Sequence, residues 1–375
     1  MHRTSRFLLA MVMLVVGAAG RLVAQQPVGP LDQLAPLQAK NTLSEEEQAT
    51  LRTWVEQRVL AIAAGDPVGA NQPAREIRSN HKGTDGFKQL YAAVCVEAVR
   101  AAYHQAARDG AARLIALLNT MNEPATAPLL LEALRDERTP VRTAAAIGLR
   151  NLRDKLGRAG GNVLAETLNA LQAAGSRETS VVTLEQIYRA LDYSTAGAGP
   201  DPRATAAALL DLLEARAQGY AAGQVKAEGG DRPGLEAIGR LLGQLDEAAR
   251  RRLAIAVARM LRYSVERYAS ELYNVREQTS SPVQVALRDR MELLIAEAEQ
   301  LLAKLTPAPA DEGFKTITVR MQESKEADKP TEMKIAMNRW AELLQQRFQI
   351  DVRMDATVPT TAEAGHTPPG EAPAP

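Results

Sequence analysis

Residues 124–155, PATAPLLLEALRDERTPVRTAAAIGLRNLRDK, decide how the chain folds. Leu129, Leu130, Leu131 and Leu134 recur at spacings of one, three and four in the first half, and Val141, Ala145, Leu149 and Leu152 do so at three and four in the second. Such spacing gathers apolar side chains on one face of a helix, whereas a strand would need strict alternation. The segment between the halves is a polar turn. Thr139 is placed to cap the second helix, and Pro140 falls in its first turn, where a missing N–H costs nothing. Ala144, Ala145 and Gly148 are small enough to let the two helices approach closely. A hairpin this short cannot bury its own apolar faces and needs neighbours on both sides. The expected product is a stack of helix pairs.

The same residues resemble one HEAT repeat. Asp136 lies in the turn, Val141 and Arg142 open the second helix, and the alanine-rich stripe Ala144, Ala145, Leu149 and Leu152 follows. The resemblance implies an all-α fold, a HEAT-like α-solenoid of helical hairpins. It also implies that turn aspartate and helix-opening arginine pair between neighbouring repeats, so Asp136 and Arg142 are expected to form a structural ladder. Residues 163–191, VLAETLNALQAAGSRETSVVTLEQIYRAL, follow the same rhythm, with Leu171 placed 37 residues after Leu134 and Val181 placed 40 after Val141. That offset is near the HEAT period, although this second copy has no Asp or Arg at the ladder positions.

Outward from this hairpin, the chain divides as follows. Residues 1–24 carry a basic start (Arg3, Arg6), an apolar run from Phe7 to Ala19 and a small residue, Ala24, ahead of Gln25. This is the make-up of a secretory signal peptide cleaved near Ala24, too short and too interrupted by Arg21 to span a membrane. The mature chain is therefore expected to be periplasmic or secreted. Residues 25–42 are Pro- and Gln-rich and expected to form a disordered lead-in. A HEAT-like helical array should occupy 43–194, opening with a Ser44–Glu47 capping box and containing a long polar loop over 65–86. After a break near 195–202, residues 202–305 pattern as longer helices of a bundle. FKTITVR (314–320), an amphipathic helix (333–348) and QIDVRM (349–354) suggest a small strand–helix–strand appendage, with Met333, Met337, Trp340, Leu344 and Phe348 packed as core. The tail, 356–375, is expected to be disordered.

The 375 residues hold equal numbers of basic and acidic side chains, 45 of each. Removing the three arginines of residues 1–24 leaves 42 against 45, a weak acidic excess. Phosphate binding needs a concentrated basic face, so this balance argues against a general nucleic-acid binder. Cys95 is the single cysteine. It cannot form an intrachain disulfide, and its stripe with Tyr91, Val99 and Ala102 places it as a small buried hydrophobe. The histidines His81, His104 and His366 are not paired at ligand spacing, and HExxH, CxxC and phosphate-loop patterns are missing. Ser79 and Lys82 formally fit a Ser-x-x-Lys pattern but without its helical context. No catalytic residue, cofactor or metal is expected.

What remains is surface. The second helix of each HEAT-like pair lines the concave side, which would present Arg142, Arg150 and Arg153. A second cluster, Arg251, Arg259, Arg262 and Tyr263, shares one later helix, and Arg and Tyr are enriched at interface hot spots. The leading expectation is a non-enzymatic scaffold that binds another protein or an anionic polymer of the cell envelope, with oligomers possible. The alternatives are an envelope assembly component built on the long helices of 203–305, or an enzyme whose site no pattern reveals.

Overall fold

A computed structural model describes residues 34–65, 68–159, 161–195, 201–276, 279–306, 314–325 and 328–354. The expected signal segment, the first part of the expected lead-in and the tail lie outside the described residues. Within them the chain is all-helical, with fifteen α-helices and no strand. In order they are α1 (Ala35–Gln38), α2 (Glu45–Ala64), α3 (Asn71–Asn80), α4 (Asp85–Tyr103), α5 (Arg108–Leu118), α6 (Ala127–Ala133), α7 (Thr139–Ala159) and α8 (Gly161–Arg177). There follow α9 (Val181–Leu191), α10 (Pro202–Ala221), α11 (Arg232–Arg240), α12 (Glu247–Arg267), α13 (Pro282–Leu305), α14 (Ile317–Glu323) and α15 (Lys329–Phe348).

The helices begin where side chains can satisfy the orphan N–H groups of a first turn. Ser44 and Glu47 form the expected capping box, and Ser281 with Gln284 forms a second. Thr84, Ser180 and Asp246 accept N–H bonds at the starts of α4, α9 and α12. The decisive stretch folds as expected into a hairpin, with a 3-10 turn at Pro124–Thr126 leading into α6 and then α7. Its glycine is needed for close packing, because a Cβ on Gly148 would come within 2.8 Å of Leu130 on α6 and 2.2 Å of Asn119.

From α5 to α11 each helix packs on the helix two further along. α5, α7, α9, α11 and α13 pack in one series; α6, α8, α10 and α12 pack in another, extended by α4 through the 3-10 turn and by α15 on α12. One core runs through both, from Leu34 to Met354. It continues across the segment near 195–202, where α8 meets α10 and α9 meets α11.

Three local expectations are corrected. Residues 65–86 are not a loop throughout: α3 forms within them, because Ala74 and Ile77 share a buried face and Glu76 is paired with buried Arg58 at 2.7 Å. Residues 34–42 pack rather than trail, with Leu34 and Leu37 buried. The strand–helix–strand appendage is replaced by a helix pair. Residues of FKTITVR form α14, since Thr316 caps it and the buried Glu299 carboxylate accepts the N–H groups of Ile317 (2.5 Å) and Thr318 (2.9 Å). Gln349 turns left-handed at the end of α15, and residues 350–354 follow without regular secondary structure and without a partner strand. Met333, Met337, Trp340, Leu344 and Phe348 are core residues as their spacing indicates.

The densest polar knot is at the foot of α11. Asp231 is fully buried and accepts two bonds from Arg216 (2.8 and 2.9 Å) and one each from Tyr188 and Tyr220 (2.7 Å). Removing one member of such a pair leaves a charge stranded in the interior. Asp231→Ala is expected to cost about 3–5 kcal/mol in urea unfolding, and a loss below about 1 kcal/mol would show that water reaches Arg216.

Candidate binding cleft

The two groups of surface residues expected from sequence meet different fates. On α7 the arginines are spent on the next hairpin. Arg142 pairs with Glu178 at 2.8 and 2.9 Å, Arg150 donates to Gln186 at 2.8 Å, and Arg153 donates to the Arg189 carbonyl at 3.2 Å. All three bonds span 36 residues, so α7 and α9 lie in one constant register. Asp136 and Arg142 do not meet as side chains. Asp136 is held by Arg138 (2.9 and 2.7 Å), while Arg142 donates to the Asp136 carbonyl at 3.0 Å and reaches onward. Glu178, in the turn before α9, fills the role foreseen for a ladder aspartate. The signal for it in the sequence is a carboxylate just before the Ser180 cap, a Glu where the repeat pattern has Asp.

The second group lines a cavity. α12 buries Leu253, Val257, Met260, Leu261 and Val265 and turns Ile255, Arg259, Arg262, Tyr263 and Glu266 outward. The cavity, about 810 Å3, lies along that outer stripe. The end of α10 (220–223) and the segment 349–352 complete its lining. A single π turn, Tyr268–Leu272, follows α12 and adds Ser270 and Glu271 to the wall. Such turns insert a residue and re-aim the side chains beyond it. Arg251 lies outside the cavity and ties α12 to the end of α15 through the Phe348 carbonyl (3.2 Å).

The charges here are only partly used up. Tyr263 bonds to Glu228, and its ring meets Tyr220 edge-on at 5.3 Å. Burial and the Glu228 carboxylate both push the Tyr263 phenol up. Arg267 is shared between Glu228 (3.5 Å) and Glu271. Arg259 and Arg262 are exposed and have no hydrogen-bond or ion-pair partner among the described residues. Together they present unspent positive charge to a concavity.

The remaining chemistry-bearing side chains do not converge. His81 leans on the Tyr91 ring at 5.9 Å, and burial lowers its pKa; His104 bonds to Glu132 at 2.9 Å on an exposed face. Among the described residues no group of three or more His, Cys, Asp or Glu is arranged to hold a metal ion. None of their helices is long and apolar enough to cross a membrane. No protein-family model matches the chain, and neither a curated protein nor a solved structure is significantly similar to it.

Two measurements check this picture. Burial raises the Glu178 carboxyl, but Arg142 and the N–H groups of Ser180 and Thr179 outweigh it and hold the group below its ordinary value of 4.5. A depressed carboxylate stabilises the fold above its unfolded pKa and ceases to do so as pH falls through the folded one. Glu178→Gln should therefore lower stability at neutral pH, and its gap from the parent chain should close as pH is taken below 4.5; a gap constant down to strongly acidic pH would refute the pairing. Cys95 is fully buried, and burial pushes its thiol up. A maleimide should leave the native parent chain unmodified and label Ser270→Cys once, whereas a protected Cys at 270 would mean that the cleft is covered.

Proposed function

We propose that the chain is an exported, non-enzymatic scaffold, a HEAT-like α-solenoid that binds a protein or an anionic polymer of the envelope through the faces of its helix stack. The observation that carries this is the packing order, in which every helix from α5 to α11 meets the helix two further along. Serial packing of this kind makes an extended two-layered body whose surface is large for its core, a shape suited to recognition. The 36-residue register of the α7 arginines on α9 supports the same arrangement. Export rests on the basic-then-apolar composition of residues 1–24 and the small Ala24 before Gln25.

The test is recovery of a tagged chain, expressed from its full sequence, from the extracytoplasmic fraction. Intact mass should place Gln25 first, and a protein or polymer should co-purify in fixed proportion to the chain. A product that retains residues 1–24 inside the cell, or one that emerges with nothing bound above the level of an unrelated exported control, would overturn the proposal.

A further inference from the structure

The cleft along α12 has a second feature beyond its arginines. Its far wall, 349–352, belongs to a segment in which Ile350, Val352 and Met354 are buried while Asp351 and Arg353 are exposed. That is the period-two burial of a strand, in a chain whose described residues form no strand. Met354 is secured by Asn338, which accepts from its N–H (2.8 Å) and donates to its carbonyl (3.0 Å). On the edge away from Asn338, the N–H and C=O groups of exposed Asp351 have no partner among the described residues. An open residue on such an edge can take a bridge from another strand.

We propose that the cleft binds an extended, acidic peptide of a partner protein, which adds as a strand beside residues 350–352 and sets its carboxylates on Arg259 and Arg262. This deepens the scaffold proposal and rests on it. The dimensions agree. Ile255 and Ser270 bound the outer stripe of α12, about 22 Å apart at ~1.5 Å per residue, which accommodates roughly six or seven residues of extended chain. In such a chain alternate side chains share a face about 7 Å apart, within the reach of two arginines one helical turn apart. The sign of exposed charge then reverses along the stripe, from Arg259 and Arg262 to Glu266. The best-matched peptide therefore carries two alternate acids followed by a basic residue. A nucleic acid or polyphosphate would satisfy the arginines but would meet Glu266, Glu271 and Asp351 unfavourably and leave the strand groups unpaired.

The experiment uses the full mature chain and a fluorescein-labelled peptide, GEVEVKTG, followed by anisotropy. Saturable binding is expected, weakened at least tenfold for the sign-reversed peptide GKVKVETG and for the chain carrying Arg259→Glu with Arg262→Glu. The milder Arg259→Gln with Arg262→Gln should weaken it in the same direction with an unaltered unfolding midpoint, which separates lost charge from lost fold. N-methylation of the two valine amides, which leaves charge untouched, should also weaken binding at least tenfold if strand addition is right. Equal affinity for both peptides, indifference to the arginines, or indifference to N-methylation each overturns the proposal; the last, with displacement by polyphosphate, would mean a plain anion site. Benzophenone carried on Ser270→Cys should cross-link to the peptide; cross-links instead to this chain's own residues, or to a second copy, would assign the cleft to those occupants. A partner that co-purifies with the chain regardless of Arg259 and Arg262 would leave the scaffold standing and overturn this assignment alone.

Discussion

The fold depends on guanidinium groups that tie one inter-helix turn to the next. Arg138 grips Asp136 in its own turn and donates to the Ala106 carbonyl in the turn before, at 2.9 Å. Arg142 carries the link forward to Glu178, and Arg216 approaches the Glu178 carbonyl at 3.5 Å while holding Asp231. Apolar faces can slide over one another at little cost, since dispersion and hydrophobic burial are non-directional. Bidentate arginine–carboxylate bonds are directional and short-ranged, so they set the register in which greasy helices stack. The cost of burying these charges is met only because nearly every donor and acceptor is used, as at Asp231, where four bonds converge.

That use of arginine also explains where binding chemistry remains. On α7 the long side chains are consumed in packing, and what looks from sequence like a basic face is the mortar between two helices. On α12 the partner helices are differently placed: α10 covers one flank, α15 and the segment after it cover another, and a cleft is left between them. Arg259 and Arg262 face that gap. The π turn at Tyr268–Leu272 closes its end and brings Ser270 and Glu271 round to it.

Helical identity and helix ends were legible in the sequence, and for local reasons. The three-and-four spacing of Leu129 to Leu152, the Ser44–Glu47 box and Ser281–Pro282 are properties of a few consecutive residues. They announce α2, α6, α7 and α13 without knowledge of what lies opposite. The errors were also local. FKTITVR alternates like a strand, yet a strand needs an edge to pair with, and here the carboxylate of Glu299, some eighteen residues earlier, offers its oxygens to a helical first turn instead. Residues 71–80 look polar because their one charged buried residue, Glu76, is neutralised by Arg58 from another helix.

By itself the sequence determined that the chain up to residue 305 would be helical, where most of those helices begin, and that their single-sided apolar stripes would have to be covered by one another. Which arginines would be spent and which left free was decided by tertiary structure alone. Arg142 and Arg262 each stand on a helix with one apolar face. One lies opposite a carboxylate 36 residues away, and the other opposite a gap. Ion pairing depends on distance in space, and distance in space follows from how all the helices stack, which no window of consecutive residues contains.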